Sequence, residues 1–465
     1  MRPSRREFVT QASALGSVAL TWLHAQDARG NAPVSGLHHP AKAKRVVQIF
    51  CPGGVSHVDT FDYKPELAKL HNQPMTGKGK ADTFFGQPGN LMKSPFAFKQ
   101  HGKSGGWVSD LFPNLASRVD DLTFIHSMTA KSSNHTPAAF QMNSGFVLNG
   151  FPSVGSWVSY GLGSLNEDLP AFVVLPDPRG LPAGGAINWS SGFLPATHQG
   201  VAFRSTGDPI PDLATPATIP AAERKAGSEL LAAMNREFAE ATPGETSLAA
   251  RVRSYEMAAK MQLDVPGMVN LENETAETKR LYGIDDKTTE GFGRNCLLTR
   301  RLLEKGVRFI QLWHGGAFGS PRINWDAHED IVENHRKQAA VLDKPLTGLL
   351  TDLYRRGLMK DTLFVWTTEF GRTPFTQGVG KPGRDHHQHA FTVFLAGAGL
   401  KPGFAYGESD EIGYKVVENE VTIYDLHATM LHLLGIDHQQ LTYYHNGTRR
   451  RLTDVHGEVV EGILA

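Results

Sequence analysis

The sequence predicts an α/β fold, with a mixed, largely parallel central sheet and helices on both faces. Three observations point there. Short runs rich in β-branched and aromatic residues alternate with longer stretches of helical spacing along the 465-residue chain. The strand runs are almost continuously apolar, as strands covered on both faces must be. His, Asp, Glu or Ser stands just past several of these runs, at the edge where a parallel sheet gathers its ligand-binding side chains.

Arg45-Val46-Val47-Gln48-Ile49-Phe50-Cys51 reads as the first strand, stopped by Pro52-Gly53-Gly54, so residues 55–62 lie at its carboxyl end. A Gly/Lys-rich loop covers roughly 72–106, and Leu111 to Val119 has helical spacing. Leu122 to Ser127 is the next strand, followed by Ser132-Ser133-Asn134-His135-Thr136-Pro137, a helix-start pattern, and helical residues 138–142. A helix over 151–163 and a strand over 171–175 come next. Residues 176–217, rich in Gly, Pro and Ser, read as an excursion over the surface, and 220–262 and 274–305 as helical; together they form an insertion of about 176–305. Val307 to Leu312 is a strand whose exit ends in Asn324-Trp325-Asp326-Ala327-His328. A helix over about 331–356 leads to the strand Thr362 to Thr368, then to the polar loop Gly383-Arg384-Asp385-His386-His387-Gln388-His389 and a further apolar run, 390–397. Residues 421–436 form an amphipathic helix ended by Gly435, with Asp425 expected as its cap.

Lys+Arg and Asp+Glu both number 47, so no basic field argues for a nucleic-acid partner. Two cysteines, Cys51 and Cys296, are too few for a disulfide framework. Ser4-Arg5-Arg6-Glu7-Phe8-Val9 and the small, modestly apolar stretch Ala12 to Leu23 look like a twin-arginine signal. The expected layout is therefore signal and linker over 1–32 and a single domain over 33–465. The expected location is periplasmic or extracellular, with the twin-arginine export machinery as partner and no stable membrane span.

Four segments carry the candidate chemistry: 56–62, 126–135, 324–328, and 369 with 383–389. Imidazole and carboxylate placed together suit a divalent metal, and a metal suits hydrolysis. The candidate metal ligands are His57, Asp59, Asp326, His328, Glu369, Asp385, His386 and His387. Glu369 reads either as a ligand or as a partner of Arg372, Asp326 either as a ligand or as a helix cap. One of His387 and His389 reads as supporting or solvated, because adjacent side chains of an extended segment point apart. The candidate catalytic residues are Ser133, Asn134 and His135 near a helix start, where backbone N–H groups favour an oxyanion, with Arg372 and Arg384 to offset charge on a transferring group.

The motifs Gly53-Gly54-Val55-Ser56-His57-Val58-Asp59-Thr60-Phe61-Asp62, Ser133-Asn134-His135-Thr136-Pro137, Trp325-Asp326-Ala327-His328, Thr368-Glu369-Phe370-Gly371-Arg372-Thr373-Pro374 and Gly383-Arg384-Asp385-His386-His387 resemble those of the DUF1501 family over nearly all of the mature length. That family looks like a branch of the alkaline phosphatase/sulfatase superfamily. The resemblance implies an alkaline phosphatase-like fold and one or two divalent metal ions (zinc, calcium, magnesium or manganese). It implies Asp59 as the acid after the first strand, a nucleophile near Ser133, the pair Asp326 and His328, and His386 as the later histidine. Two departures stand out: Phe370 occupies a ligand-histidine position and Glu369 that of an Asp. No Cys/Ser-x-Pro-x-Arg segment is present, which argues against a formylglycine sulfatase, and the absence of His-Glu-x-x-His argues against the commonest metallopeptidase. The expected function is an exported, metal-dependent hydrolase acting on a small-molecule or polysaccharide ester of phosphate or sulfate. The alternative is a non-catalytic exported protein of the same fold that retains metal for binding or assembly.

Overall fold

The computed structural model describes residues 37–77, 81–166, 168–204, 220–241, 252, 256, 270–317, 322–378 and 380–465. The expected signal over 1–32 lies outside the described residues.

The main strands are β1 (Arg45–Phe50), β2 (Pro88–Leu91), β3 (Leu122–Thr129), β4 (Phe172–Leu175), β5 (Val201–Ala202), β6 (Phe309–Trp313), β7 (Thr362–Thr367), β8 (Gly371–Gln377), β9 (Arg384–His387), β10 (Phe391–Gly397), β11 (Phe404–Tyr406) and β12 (Val421–Thr422). The helices that matter here are α1 (His57–Thr60), α2 (His135–Ser144), α3 (Val154–Leu162), α4 (Glu290–Glu304), α5 (Ile331–Arg355) and α6 (Ile423–Leu433).

Nine strands form one sheet in the order β11-β3-β10-β7-β1-β6-β4-β5, with β12 also on β3. Every pairing is parallel except those of β10, which runs antiparallel to both β3 and β7. The fold is thus the mixed, mostly parallel sheet the sequence predicts.

Period-2 alternation in β1 sends Val47 and Ile49 to one buried cluster and Val46 and Phe50 to the other. The first cluster is closed by α4 and α5 through Leu298, Leu302, Leu342, Leu346 and Leu349. The second is closed by α3 and α6 through Trp157, Val158, Leu426 and Met430. Gln48 is buried within β1 and stays satisfied, because its register partner Gln311 donates to it at 3.2 Å and to Asn143 Oδ1 at 2.7 Å. α5 starts at Asp330, whose carboxylate accepts from the N–H groups of Val332 and Glu333, and runs on through Pro345 to Arg355.

Four local expectations change. Residues 383–389 are not a loop: Arg384–His387 pairs antiparallel with β8 in a small sheet completed by β2. The cap of α6 is Thr422 rather than Asp425, which answers as the reciprocal partner of a capping box. The helical spacing over 111–119 yields a 3-10 turn at Leu115–Asp121, and the long excursion after 176 contributes the short edge strand β5. Cys51 and Cys296 are both buried and unbridged.

Candidate metal centre

The carboxyl ends of the parallel strands β1, β6 and β7 lead to residues 53–59, 324–328 and 369–372. β10 runs the other way, so the residues at this edge are those that precede it, and β9 with His386 stands there. α2 brings His135 from β3, which is antiparallel to β10 and therefore leaves the sheet at the same edge.

Close backbone approach draws these segments together. Gly53 has φ +114, and a Cβ there would lie 2.5 Å from the backbone nitrogens of Trp325 and Asp326. A Cβ on Gly383 would lie 1.9 Å from the carbonyl oxygen of His328.

His135, Asp326, His328 and His386 are all buried, and one potential ligand atom from each falls within 4.8 Å of all the others. Asp326 Oδ1 is 2.7 Å from His328 Nε2, 3.2 Å from His135 Nε2 and 3.4 Å from His386 Nε2. The Nε2 atoms of His328 and His386 are 2.9 Å apart. Each ring is held from behind through Nδ1: His135 by Glu369 Oε1 at 2.7 Å, His386 by the carbonyl of Ser133 at 2.5 Å, and His328 by Gln377 Oε1. A carboxylate, a backbone carbonyl and an amide oxygen all accept, so each ring holds a proton on Nδ1 and faces Nε2 toward Asp326. Three nitrogens and a carboxylate oxygen, each fixed by an outer partner, form a donor set that could hold a divalent metal ion.

The charges agree. Burial raises the Asp326 carboxyl, but Arg372 and the three imidazoles more than reverse this and hold it well below the ordinary range. Burial pushes His386 down to about 2, with Asp326 opposing and Arg372 assisting, so it stands neutral. Burial also lowers His135, yet Asp326 and Glu369 on either side outweigh it and raise the ring above its usual value. The raised ring favours a second proton, on the Nε2 that faces Asp326, and a bound cation would displace it.

The other sequence candidates surround the group. Arg372 is fully buried; it donates to Asp326 Oδ1 at 2.6 Å, to the carbonyl of Gly54 at 2.9 Å, and also to that of Gly53. Glu369 meets its neighbours rather than Arg372: it accepts from the Gly53 N–H at 2.7 Å, from the Thr368 hydroxyl at 3.2 Å and from His135. Asp59 and Arg384 form a buried ion pair at 2.6 Å, with Ser56 also donating to Asp59 at 2.6 Å. Burial raises Asp59, and Arg384 with Ser56 brings it back below its normal value. Asp385 accepts from the N–H groups of Phe84 and Phe85 and lies 4.0 Å from His328 Nδ1. His57 and His387 stack on each other at 6.4 Å and meet the carbonyls of Gly413 and Tyr414. Asn134 is the N-cap of α2 without a side-chain capping bond, and Ser133 meets His386 through its carbonyl.

Sequence reasoning missed Gln377, Phe84, Phe85 and Arg322. Phe84 stacks on His386 at 4.7 Å and Phe85 meets His328 edge-on at 5.3 Å, while both rings stay substantially exposed. Arg322, one-third exposed, reaches within 3.9 Å of Asp326 Oδ2. The exposed Phe84-Phe85 pair in a polar loop was the one available signal; Gln377 had none.

No helix among the described residues is long and apolar enough to cross a membrane. A search of curated proteins finds no match. Among solved structures, the chain is similar to the alkaline phosphatase of the Antarctic bacterium TAB5, at 10% identity and TM-score 0.36 over 86% of this chain and 99% of that one. It is similar to the lipoteichoic acid synthase LtaP of Listeria monocytogenes at 10% identity and TM-score 0.33, over 89% and 78% of the two chains. It is also similar to the sulfatase PsFucS1 of Pseudoalteromonas sp. at 12% identity and TM-score 0.33, over 90% and 71%. Likenesses this distant carry no weight for the chemistry. The family model "Protein of unknown function (DUF1501)" matches residues 43–464, nearly the whole described fold, and the chain belongs to that family.

Proposed function

We propose that the protein is a metal-dependent hydrolase of phosphate or sulfate esters, centred on His135, Asp326, His328 and His386. The observation that carries the reading is the convergence of three Nδ1-anchored imidazoles on one carboxylate oxygen. The sequence motifs, which resemble those of the alkaline phosphatase/sulfatase superfamily, supply the ester class.

A nitrogen-rich donor set favours zinc or a similar transition ion over calcium or magnesium, which take oxygen ligands. When bound, such an ion would polarise the ester oxygens and lower the pKa of water. The chain's own residues do the rest. Glu369, Gln377 and the Ser133 carbonyl keep the rings in register. Arg372 holds Asp326 ionised and oriented. Arg322, which pairs with Glu329 at 2.7 Å and donates to the Asp326 carbonyl at 2.6 Å, is the partly exposed cation nearest Asp326 and would have to leave Glu329 to offset charge on the anionic ester. Phe84 and Phe85 cover His386 and His328 from the solvent side and limit their contact with bulk water. In this reading Asp59, Arg384, His57 and His387 support the walls.

The test is metal analysis of the purified protein with turnover on aryl phosphates, phosphodiesters and aryl sulfates. About one bound transition ion per chain and turnover lost in Asp326→Ala are expected; a metal-free protein whose turnover is unchanged by that substitution would sink the reading. The second reading, a metal-retaining binding or assembly protein, draws on Ser133 offering its carbonyl rather than its hydroxyl to the group. It predicts bound metal with no turnover on any ester. We further propose that Ser4-Arg5-Arg6 directs twin-arginine export; a reporter fused behind residues 1–32 should lose export on Arg5→Lys with Arg6→Lys.

A further inference from the structure

A half-open cavity lies where β3 meets β11, beside the chain that leaves α1, and none of its lining residues belongs to the metal group. Its volume is about 630 Å³, within the range of small-molecule sites. Three rings on its lining stay open to solvent: Tyr63 at 36%, Trp107 at 38% and Phe404 at 36%. Tyr63 and Trp107 form a fixed platform rather than loose surface groups, since Tyr63 packs on Trp107 at 4.4 Å and on Phe98 at 5.0 Å.

The polar side of the cavity is equally ordered. His126 is fixed by Thr392 Oγ1 at 3.1 Å and lies flat against Phe124, with ring centroids 5.6 Å apart. Glu418 is oriented by the side-chain amide of Asn419 at 3.0 Å, and Glu408 stands nearby on the lining. Lys64, whose side chain is 12% exposed, is engaged by Asp62 at 2.9 Å and by the Ser409 carbonyl at 3.1 Å. Carboxylates therefore outnumber available cations, which disfavours an anionic ligand. The combination suits a molecule with an apolar face and several hydroxyl donors. A pyranose ring is such a molecule: its polarised C–H groups match the negative face of an aromatic ring, and its hydroxyls donate to carboxylates.

We propose that this cavity is a binding site for a neutral saccharide of one to two pyranose units, stacked on Trp107 and Tyr63 and hydrogen-bonded to Glu408, Glu418 and His126. It stands independently of the hydrolase reading, because it shares no residue with the metal group.

Calorimetric titration of the full chain with neutral mono- and disaccharides of glucose and galactose, the disaccharides β-linked, and with their sulfated counterparts, tests it. At least one neutral sugar should bind saturably. Trp107→Ala should weaken that binding tenfold or more, Trp107→Phe should restore most of it, and Glu408→Gln should weaken it severalfold. Absence of saturable binding by every neutral sugar up to about 10 mM, tighter binding of the sulfated forms, or affinity unchanged in Trp107→Ala would overturn the proposal. Trp107 is partly exposed, so the variant folds, and its thermal midpoint provides the check.

Discussion

One oxygen atom, Asp326 Oδ1, has nitrogens of Arg372, His328, His135 and His386 at 2.6, 2.7, 3.2 and 3.4 Å. A carboxylate oxygen offers about two lone-pair sites, so hydrogen bonding alone cannot satisfy that crowd. A cation shared with the three imidazoles would relieve it, leaving Asp326 Oδ1 to accept from Arg372. The residue behind His135 then decides affinity. Glu369→Gln keeps an acceptor for the Gly53 N–H but removes the charge that would make His135 a strong ligand of a bound ion. Metal affinity should fall about 10- to 100-fold with little change in fold; competition with a chromogenic chelator measures it, and unchanged affinity would dismiss Glu369 as an outer partner.

At the scale of elements, the β8–β9 ladder sets the geometry. Arg372 stands opposite His386 in its register, and both side chains reach Asp326. The same strand β9 carries Arg384, whose pair with Asp59 ties the small sheet to the turn after β1. Both partners are fully buried, so removing one strands the other. Arg384→Met should cost about 3–5 kcal/mol of stability, whereas Arg384→Met combined with Asp59→Leu should recover a large part of it. Urea unfolding of the singles and the double decides; strictly additive losses would show that the pair is not coupled. This ladder was not legible in the sequence. Residues 383–389 hold too many polar side chains to look like a strand, and the pairing that makes one is supplied by β8 across a turn. The capping residue of α6 was misplaced for a related reason: Thr422 and Asp425 both fit a cap, and only their reciprocal bonding distinguishes them.

Across the whole molecule, several histidines are enclosed without charge. Burial pushes His335 down to about 3 and His427 to about 4, and holds His314 well below its ordinary value. Each folded-state pKa lies below the unfolded value of about 6.5, so the unfolded chain binds more protons in acid. Stability should be complete above pH ~6.5 and fall as pH drops below it, each such histidine adding up to about 1.4 kcal/mol per pH unit. Urea midpoints from pH 7.5 to 5 measure this; a flat profile would refute it, and His427→Gln should shallow the slope. The sheet was legible because strand periodicity and breakers are local signals, as with Val46 to Phe50 before Pro52-Gly53-Gly54. Asp326, His328 and His386 were legible as candidate ligands and His135 only as a candidate catalytic residue, and which residues meet was not legible, since that depends on backbone approach at Gly53 and on β9.

The antiparallel course of β10 has a kinetic consequence. His386 arrives on the segment before its strand, 253 positions from its partner Ser133, and His135 is 234 positions from Glu369. Contacts of such separation form only after most loop closures have been made. The four donors come together only when segments this far apart in the chain have met, so uptake of a metal during refolding should lag behind recovery of secondary structure.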